Sequence, residues 1–152
     1  MSFKTILSAA TAAMLLALPA WAEGLEVKDA YAISAGAGAM TGAVYMVIRN
    51  QGGAADRLID VRSDAAVRVQ FHTHRENADG VVQMIHVEEG FDLPTDGEIL
   101  MARGGNHVML MGLTAPFEQG AMFTITLVFE QAGAVAVDVM VDLERMAVEH
   151  NH

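Results

Sequence analysis

Residues 67–87 read VRVQFHTHRENADGVVQMIHV. Up to His74 the stretch alternates. Val67, Val69 and Phe71 share one face, while Arg68, Gln70, His72 and His74 share the other, which is the period of a half-buried strand. Asn77-Ala78-Asp79-Gly80 then breaks the pattern, and Asp-Gly is a strong hairpin signal because both positions accept positive φ. Residues 81–87 return as a second strand with Met84 and His86 on one face. A hairpin here sets Met84 and His86 alongside His72 and His74, on the polar side of the strands and not in an apolar core.

The same strand-and-turn grammar extends outward. Upstream, residues 25–27 and 31–33 suggest a first strand, followed by an Ala/Gly stretch over 35–39. AVYMVIR (43–49) is rich in β-branched and aromatic residues and ends at the Asn50-Gln51-Gly52-Gly53 turn, before RLIDVR (57–62). Downstream, residues 88–97, with Pro94, read as a loop and 98–102 as a short strand. Arg103-Gly104-Gly105-Asn106 turns the chain into HVMLMGL (107–113). There His107, Met109 and Met111 fall on one side and Val108 and Leu110 on the other. Residues 122–129 and 135–141 complete the set. Neither a helical period after the leader nor an internal repeat is present. Eight or nine short strands at this spacing predict a single all-β domain, a Greek-key sandwich or barrel.

The first 22 residues stand apart. Lys4 precedes a thirteen-residue apolar run, residues 6–18, and Ala20-Trp21-Ala22 offers small residues for cleavage before Glu23. This is the pattern of a secretory signal peptide, and the run is short for a membrane span. The expected organisation is therefore a leader (1–22), a β-domain (23–145) and a polar tail (146–152, MAVEHNH) carrying Met146, His150 and His152. After the leader, eight basic residues face nineteen acidic ones, a net charge of −11. Such a surface repels nucleic acid and anionic lipid and attracts cations. There is no cysteine, which excludes a disulfide framework and every thiolate metal site.

Between His72 and Met111 lie four of the six histidines and four of the eleven methionines. Thioether is a soft donor that suits Cu(I), and imidazole suits copper in either oxidation state, so the mixture points to copper where no thiolate is available. Alternate strand positions lie roughly 6.5–7 Å apart, close enough for His107 and Met109 to lean onto one ion. Met40, Met101, Met122 and Met140 read instead as core gap-fillers, and Met46 as core beside Val44 and Ile48. His74, His86 and Met111 are auxiliary candidates, and His150 with His152 forms a further weak site for Cu(II). No Ser/His/Asp constellation, phosphate loop or HExxH spacing is present, so the reading is binding and not catalysis. The competing readings are a copper oxidoreductase and a β-sandwich adhesion or ligand-binding module with an incidental His/Met cluster.

FHTHRENADGVVQM, GFDLP and GGNHVMLMGL, with YMVIRNQGGAADRL upstream, resemble the periplasmic copper(I) chaperone family of the PCuAC type. The family signature is a histidine, ten residues, a methionine, twenty-one residues and His-x-Met. Here His72 and Met84 enclose eleven residues, and Met84 and His107 twenty-two. By position the resemblance makes His72, Met84, His107 and Met109 the ligands, with the extra residues absorbed in the turns at Asp79-Gly80 and Glu88-Glu89-Gly90. It implies a cupredoxin-like sandwich, Cu(I) as cargo, and a periplasmic protein. It also implies delivery to a copper-receiving partner, such as a cytochrome c oxidase subunit or another copper chaperone.

Overall fold

A computed structural model describes residues 24–36 and 38–145. The leader and the tail with Met146, His150 and His152 lie outside the described residues. Every element among the described residues is a strand: β1 (Leu25–Ser34), β2 (Thr41–Asn50), β3 (Asp56–Arg62), β4 (Ala66–Glu76), β5 (Val82–His86), β6 (Phe91–Leu93), β7 (Glu98–Met101), β8 (His107–Leu113), β9 (Met122–Phe129) and β10 (Gly133–Val141). One hydrogen-bonded path runs β5-β4-β8-β2-β1-β10-β9-β3-β6, and β7 pairs with β2. Phe71 on β4 packs against Phe91 on β6, ring centres 5.3 Å apart, although the two strands lie near opposite ends of that path. The sheet therefore folds over on itself. The result is the expected all-β, cupredoxin-like sandwich.

Its core is what the alternation demands. Val44, Met46 and Ile48 from β2, Phe71 from β4, Val108 and Leu110 from β8, and Ile125, Leu127 and Phe129 from β9 are all buried in one cluster. Their neighbours in sequence must face the other way. On β1, β2 and β8 those neighbours are Tyr31 and Ile33, Ala43 and Tyr45, and His107 and Met109. Tyr31, Ile33, Tyr45 and Ala43 form a second, smaller apolar cluster on that outer face.

Three local expectations change. β6 falls within residues expected to be loop, because three residues suffice to pair with β3 through Asp56↔Leu93 and Leu58↔Phe91. β1 is the single first strand expected, continuous from 25 to 34. Its register against β2 shifts between Lys28 and Tyr31, where Asp29 takes φ 54°. Val67 is 87% exposed, not on the core face with Phe71. The cause is across the ladder: Gly112 has φ 71°, the backbone of β8 rotates there, and Leu113 and Ala66 turn inward instead. Of the methionines expected as gap-fillers only Met101 is buried; Met40, Met122 and Met140 are exposed, and Met46 is core as expected.

Candidate metal centre

Two turns place the donors. In the β4–β5 hairpin the Asn77 side-chain oxygen accepts from the Asp79 and Val81 amides at 2.9 and 3.0 Å, and Gly80 supplies φ 78°. This Asx-type turn fixes the register, so that His74 lies opposite Met84 and His72 opposite His86. The second turn, closed by the Gly105 amide donating to the Ala102 carbonyl at 3.0 Å, starts β8. β8 inserts between β4 and β2, with His72 opposite His107 and Gln70 opposite Met109 on one side, and Met109 opposite Ala43 on the other.

His107 is the centre of the arrangement. It is 2% exposed although it lies on the outer face of the sheet, because Tyr45 packs 6.0 Å from its ring and Tyr31 lies 5.4 Å beyond Tyr45. The His107 Nδ1–H donates to the Gly105 carbonyl at 3.1 Å. That bond fixes the ring's orientation and leaves Nε2 as its lone-pair nitrogen, as a hydrogen bond to the far nitrogen does in metal-binding histidines generally. Two other imidazoles flank it, His74 at 5.6 Å and His72 at 5.8 Å between ring centres. Two imidazoles bound to one ion through bonds of about 2.0 Å have ring centres about 4.5 Å apart at a right angle and about 6.3 Å apart when opposed. Both pairs lie within that range.

His72 Nδ1 and His74 Nδ1 are buried with no hydrogen-bond partner. A buried polar atom without a partner costs about 1–3 kcal/mol and calls for an explanation, of which an absent ion is one. Burial holds the His72 ring below the ordinary imidazole pKa, aided by His107 and His86 beside it. Burial also lowers that of His107; the bond to Gly105 opposes the shift and His74 reinforces it. Neutral imidazole is the metal-binding form.

A cavity of about 230 Å³ opens on this outer face. Its donors are His74, Met84, His107 and Met109, and Ile33, Ala43 and Tyr45 supply apolar wall. Met84 is 48% exposed and marks the open side. Three of the four ligands expected from position line the cavity. His72 does not; His74 stands in its place, because the hairpin register puts His74 and not His72 across from Met84. His72 sits one row along, its Nε2 3.2 Å from Gln70 Oε1 and its ring 5.8 Å from that of His86. Met111 lies farther along β8, opposite Arg68 and Thr41, and is not on the cavity lining. Among the described residues no three His, Asp or Glu side chains converge on a metal position, so a complete donor set needs the thioethers. A larger cavity of about 340 Å³, near Asp64, Phe117 and Phe123, has no imidazole on its lining.

What sequence reasoning missed is the apolar wall. Tyr31 and Tyr45 alternate with core residues and carry no ligand signal. Their pattern on adjacent strands was still visible: large apolar residues on both faces of β1 and β2 mark strands covered on both sides.

The family model described as "LpqE-like: Putative lipoprotein LpqE-like" matches residues 25–141. A "Putative lipoprotein" of Leifsonia xyli subsp. xyli is 34% identical over 120 residues, covering 79% of this chain and 70% of the relative. The copper-bound PCuAC domain from PmoF2 superposes with TM-score 0.63 at 28% identity, covering 79% of this chain and 93% of that domain. The Cu(I) form of DR1885 from Deinococcus radiodurans gives TM-score 0.58 at 25% identity, covering 82% and 83%.

Proposed function

The chain belongs to the LpqE-like family, the family of the PCuAC domains, and from that premise we propose that it is an exported copper chaperone carrying one Cu(I) ion. The proposed ligands are Met84, His107, Met109 and His74, with His72 the alternative for the last position. The observation that carries this reading is the cavity itself, two thioethers and two imidazoles with no thiolate available. That set favours Cu(I) over harder cations. All four ligands are neutral, so the ion keeps its +1 charge, which a surface of net charge −11 tolerates.

Transfer follows from the asymmetry of the site. His107 is held from behind by Gly105 and enclosed by Tyr45, while Met84 stands at the opening on β5, a strand at one end of the hydrogen-bonded path. A partner's donor enters on the Met84 side and forms its bond before the buried imidazole releases the ion. The receiving protein is a copper-dependent one, a cytochrome c oxidase subunit or another copper chaperone. His150 and His152 are a second, weaker Cu(II) position on the tail. The leader and the family description fit a periplasmic location after cleavage near Ala22.

The function is binding and delivery, not turnover. A copper oxidoreductase would show a stable Cu(II) form in the cavity that turns over substrate, and a module with an incidental cluster would bind no copper. Anaerobic Cu(I) titration with X-ray absorption on the purified protein tests the reading. One Cu(I) per chain with mixed nitrogen and sulfur scattering is expected; no tight Cu(I), or a shell without sulfur, overturns it.

A further inference from the structure

β5 borders the open side of the cavity, and the ladder fixes which way its backbone points. The Val87 amide donates to the Phe71 carbonyl and the Asn77 amide to the Val81 carbonyl, both at 2.9 Å, at the two ends of the β4–β5 register. Hydrogen-bonded pairs alternate in an antiparallel ladder, so Thr73↔Ile85 and Arg75↔Gln83 are bonded and His74↔Met84 is not. The amides and carbonyls of Val82, Met84 and His86 therefore point away from β4, along the free side of a strand that ends the hydrogen-bonded path. Among the described residues no strand pairs with that side. Native sheet edges are kept short or blunted with lysine, proline or a bulge. β6, at the other end of the path, is three residues long and is followed by Pro94. β5 has no such guard: it reads VQMIH, and Val81, Val82 and Met84 are exposed. Charge selects what fits there. Between His72 and Glu89 four exposed carboxylates, Glu76, Asp79, Glu88 and Glu89, stand against one arginine, Arg75. A second copy would bring the same carboxylates and the same net charge of −11, so self-pairing is opposed and a cationic segment is favoured.

We infer that β5 is the docking edge for the copper-receiving partner, which adds an antiparallel strand flanked by lysine or arginine and sets a sulfur donor opposite Met84. The inference rests on the proposed chaperone function for its cargo alone. In this pairing Met84 and the partner residue facing it exchange both backbone hydrogen bonds, with Cα atoms about 5.5 Å apart and side chains on one face. Met84 lines the cavity from that face. With metal–sulfur bonds of about 2.3 Å, both sulfurs reach one ion. A thiol in that position gives its proton to water, its thiolate bonds Cu(I), and the bond to Met84 breaks. The backbone hydrogen bonds supply affinity and fix where the donor arrives, while the acidic flanks select a cationic partner.

The test uses the full chain under anaerobic conditions and, as the probe, a nine-residue peptide that alternates lysine and valine with cysteine at its centre. Amide hydrogen exchange should show Val82, Met84 and His86 unprotected in the free chain and protected once the peptide is added. Val82→Pro removes an amide that points off the edge, a position where proline is compatible with a strand, so the hairpin keeps its ladder. That variant should hold Cu(I) within about twofold of the parent and bind the peptide about tenfold or more weakly. The same peptide N-methylated on the amides that face β5 leaves the protein untouched and should lose binding equally. A peptide with serine at its centre should dock as well and take no copper from the loaded chain. The docking edge is overturned if those three amides gain no protection, whether because nothing docks or because the chain's own tail already covers them. Binding that is indifferent to Val82→Pro, or to N-methylation, overturns it too. If the chain holds no Cu(I) yet the peptide still protects the edge, the chaperone reading falls and the docking edge stands.

Discussion

Replacing His74 and His72 by alanine, one at a time, separates the cavity from the sequence motif. In the copper-free protein each substitution removes a partly exposed ring, and with it a buried nitrogen that has no partner. Deleting such an atom recovers about 1–3 kcal/mol of desolvation cost, similar in size to the packing lost. Both apo variants should therefore stay within about 1 kcal/mol of the parent. Copper breaks the symmetry. His74 lines the cavity with Met84, His107 and Met109, and His72 does not. Loss of an outer-shell partner costs about 10–100-fold in metal affinity, and loss of a direct donor at least the upper figure. With Cu(I) at a thousand times its Kd, binding stabilises the parent by about 4.1 kcal/mol. A hundredfold weaker His74→Ala variant keeps only about 1.4 kcal/mol of that. In a domain of this size the difference of about 2.7 kcal/mol moves Tm by roughly 10 °C. Anaerobic thermal melts without Cu(I) and with free Cu(I) buffered at a thousand times the parent Kd, paired with chelator competition, read it directly. His72→Ala should retain most of the copper-induced rise in Tm. If His72→Ala abolishes that rise while His74→Ala preserves it, the ligand is His72 and the argument from register and cavity lining is wrong.

Met109→Leu conserves volume, so it should cost under about 1.5 kcal/mol in the apo-protein while lowering Cu(I) affinity at least a hundredfold; denaturant melts and chelator competition measure the two effects. For pH, the folded values of His72 and His107 lie below the unfolded imidazole value of about 6.5. Their contribution to apo stability is complete above that pH and is lost as pH falls through the folded values, since only the unfolded chain takes up those protons. Denaturation midpoints should drop between pH 7 and 5. Cu(I) affinity should fall with them, by at most about tenfold per unit for each coordinating imidazole, and a flat affinity would leave the methionines alone holding the ion. Gly90 has φ 72°, and a Cβ there would stand 1.9 Å from the Leu58 carbonyl oxygen. Gly90→Ala should destabilise by about 3 kcal/mol or more, and a chemical melt within 1 kcal/mol of the parent would show that the turn relaxes freely.

Much of this molecule is legible in one dimension because strand alternation is local. Side chains two residues apart share a face wherever the strand is regular, so Val108 and Leu110 go inward while His107 and Met109 go outward. Asp79-Gly80 forces a turn through its own backbone preferences, and that turn returns Met84 and His86 to the neighbourhood of His72 and His74. The absence of thiol and the abundance of thioether and imidazole restrict the metal before any geometry is known. What alternation cannot supply is register and neighbourhood. Whether Met84 meets His72 or His74 depends on where the Asn77 side chain closes the turn. That His107 rests between both histidines depends on β8 pairing with β4, some forty residues away in sequence. Its burial comes from Tyr45, on a third strand. The inward turn of Leu113, the exposure of Val67 and the three-residue β6 have the same origin. Each is decided by backbone hydrogen bonds between distant segments, whose energy exists only once the whole sheet has closed on its core.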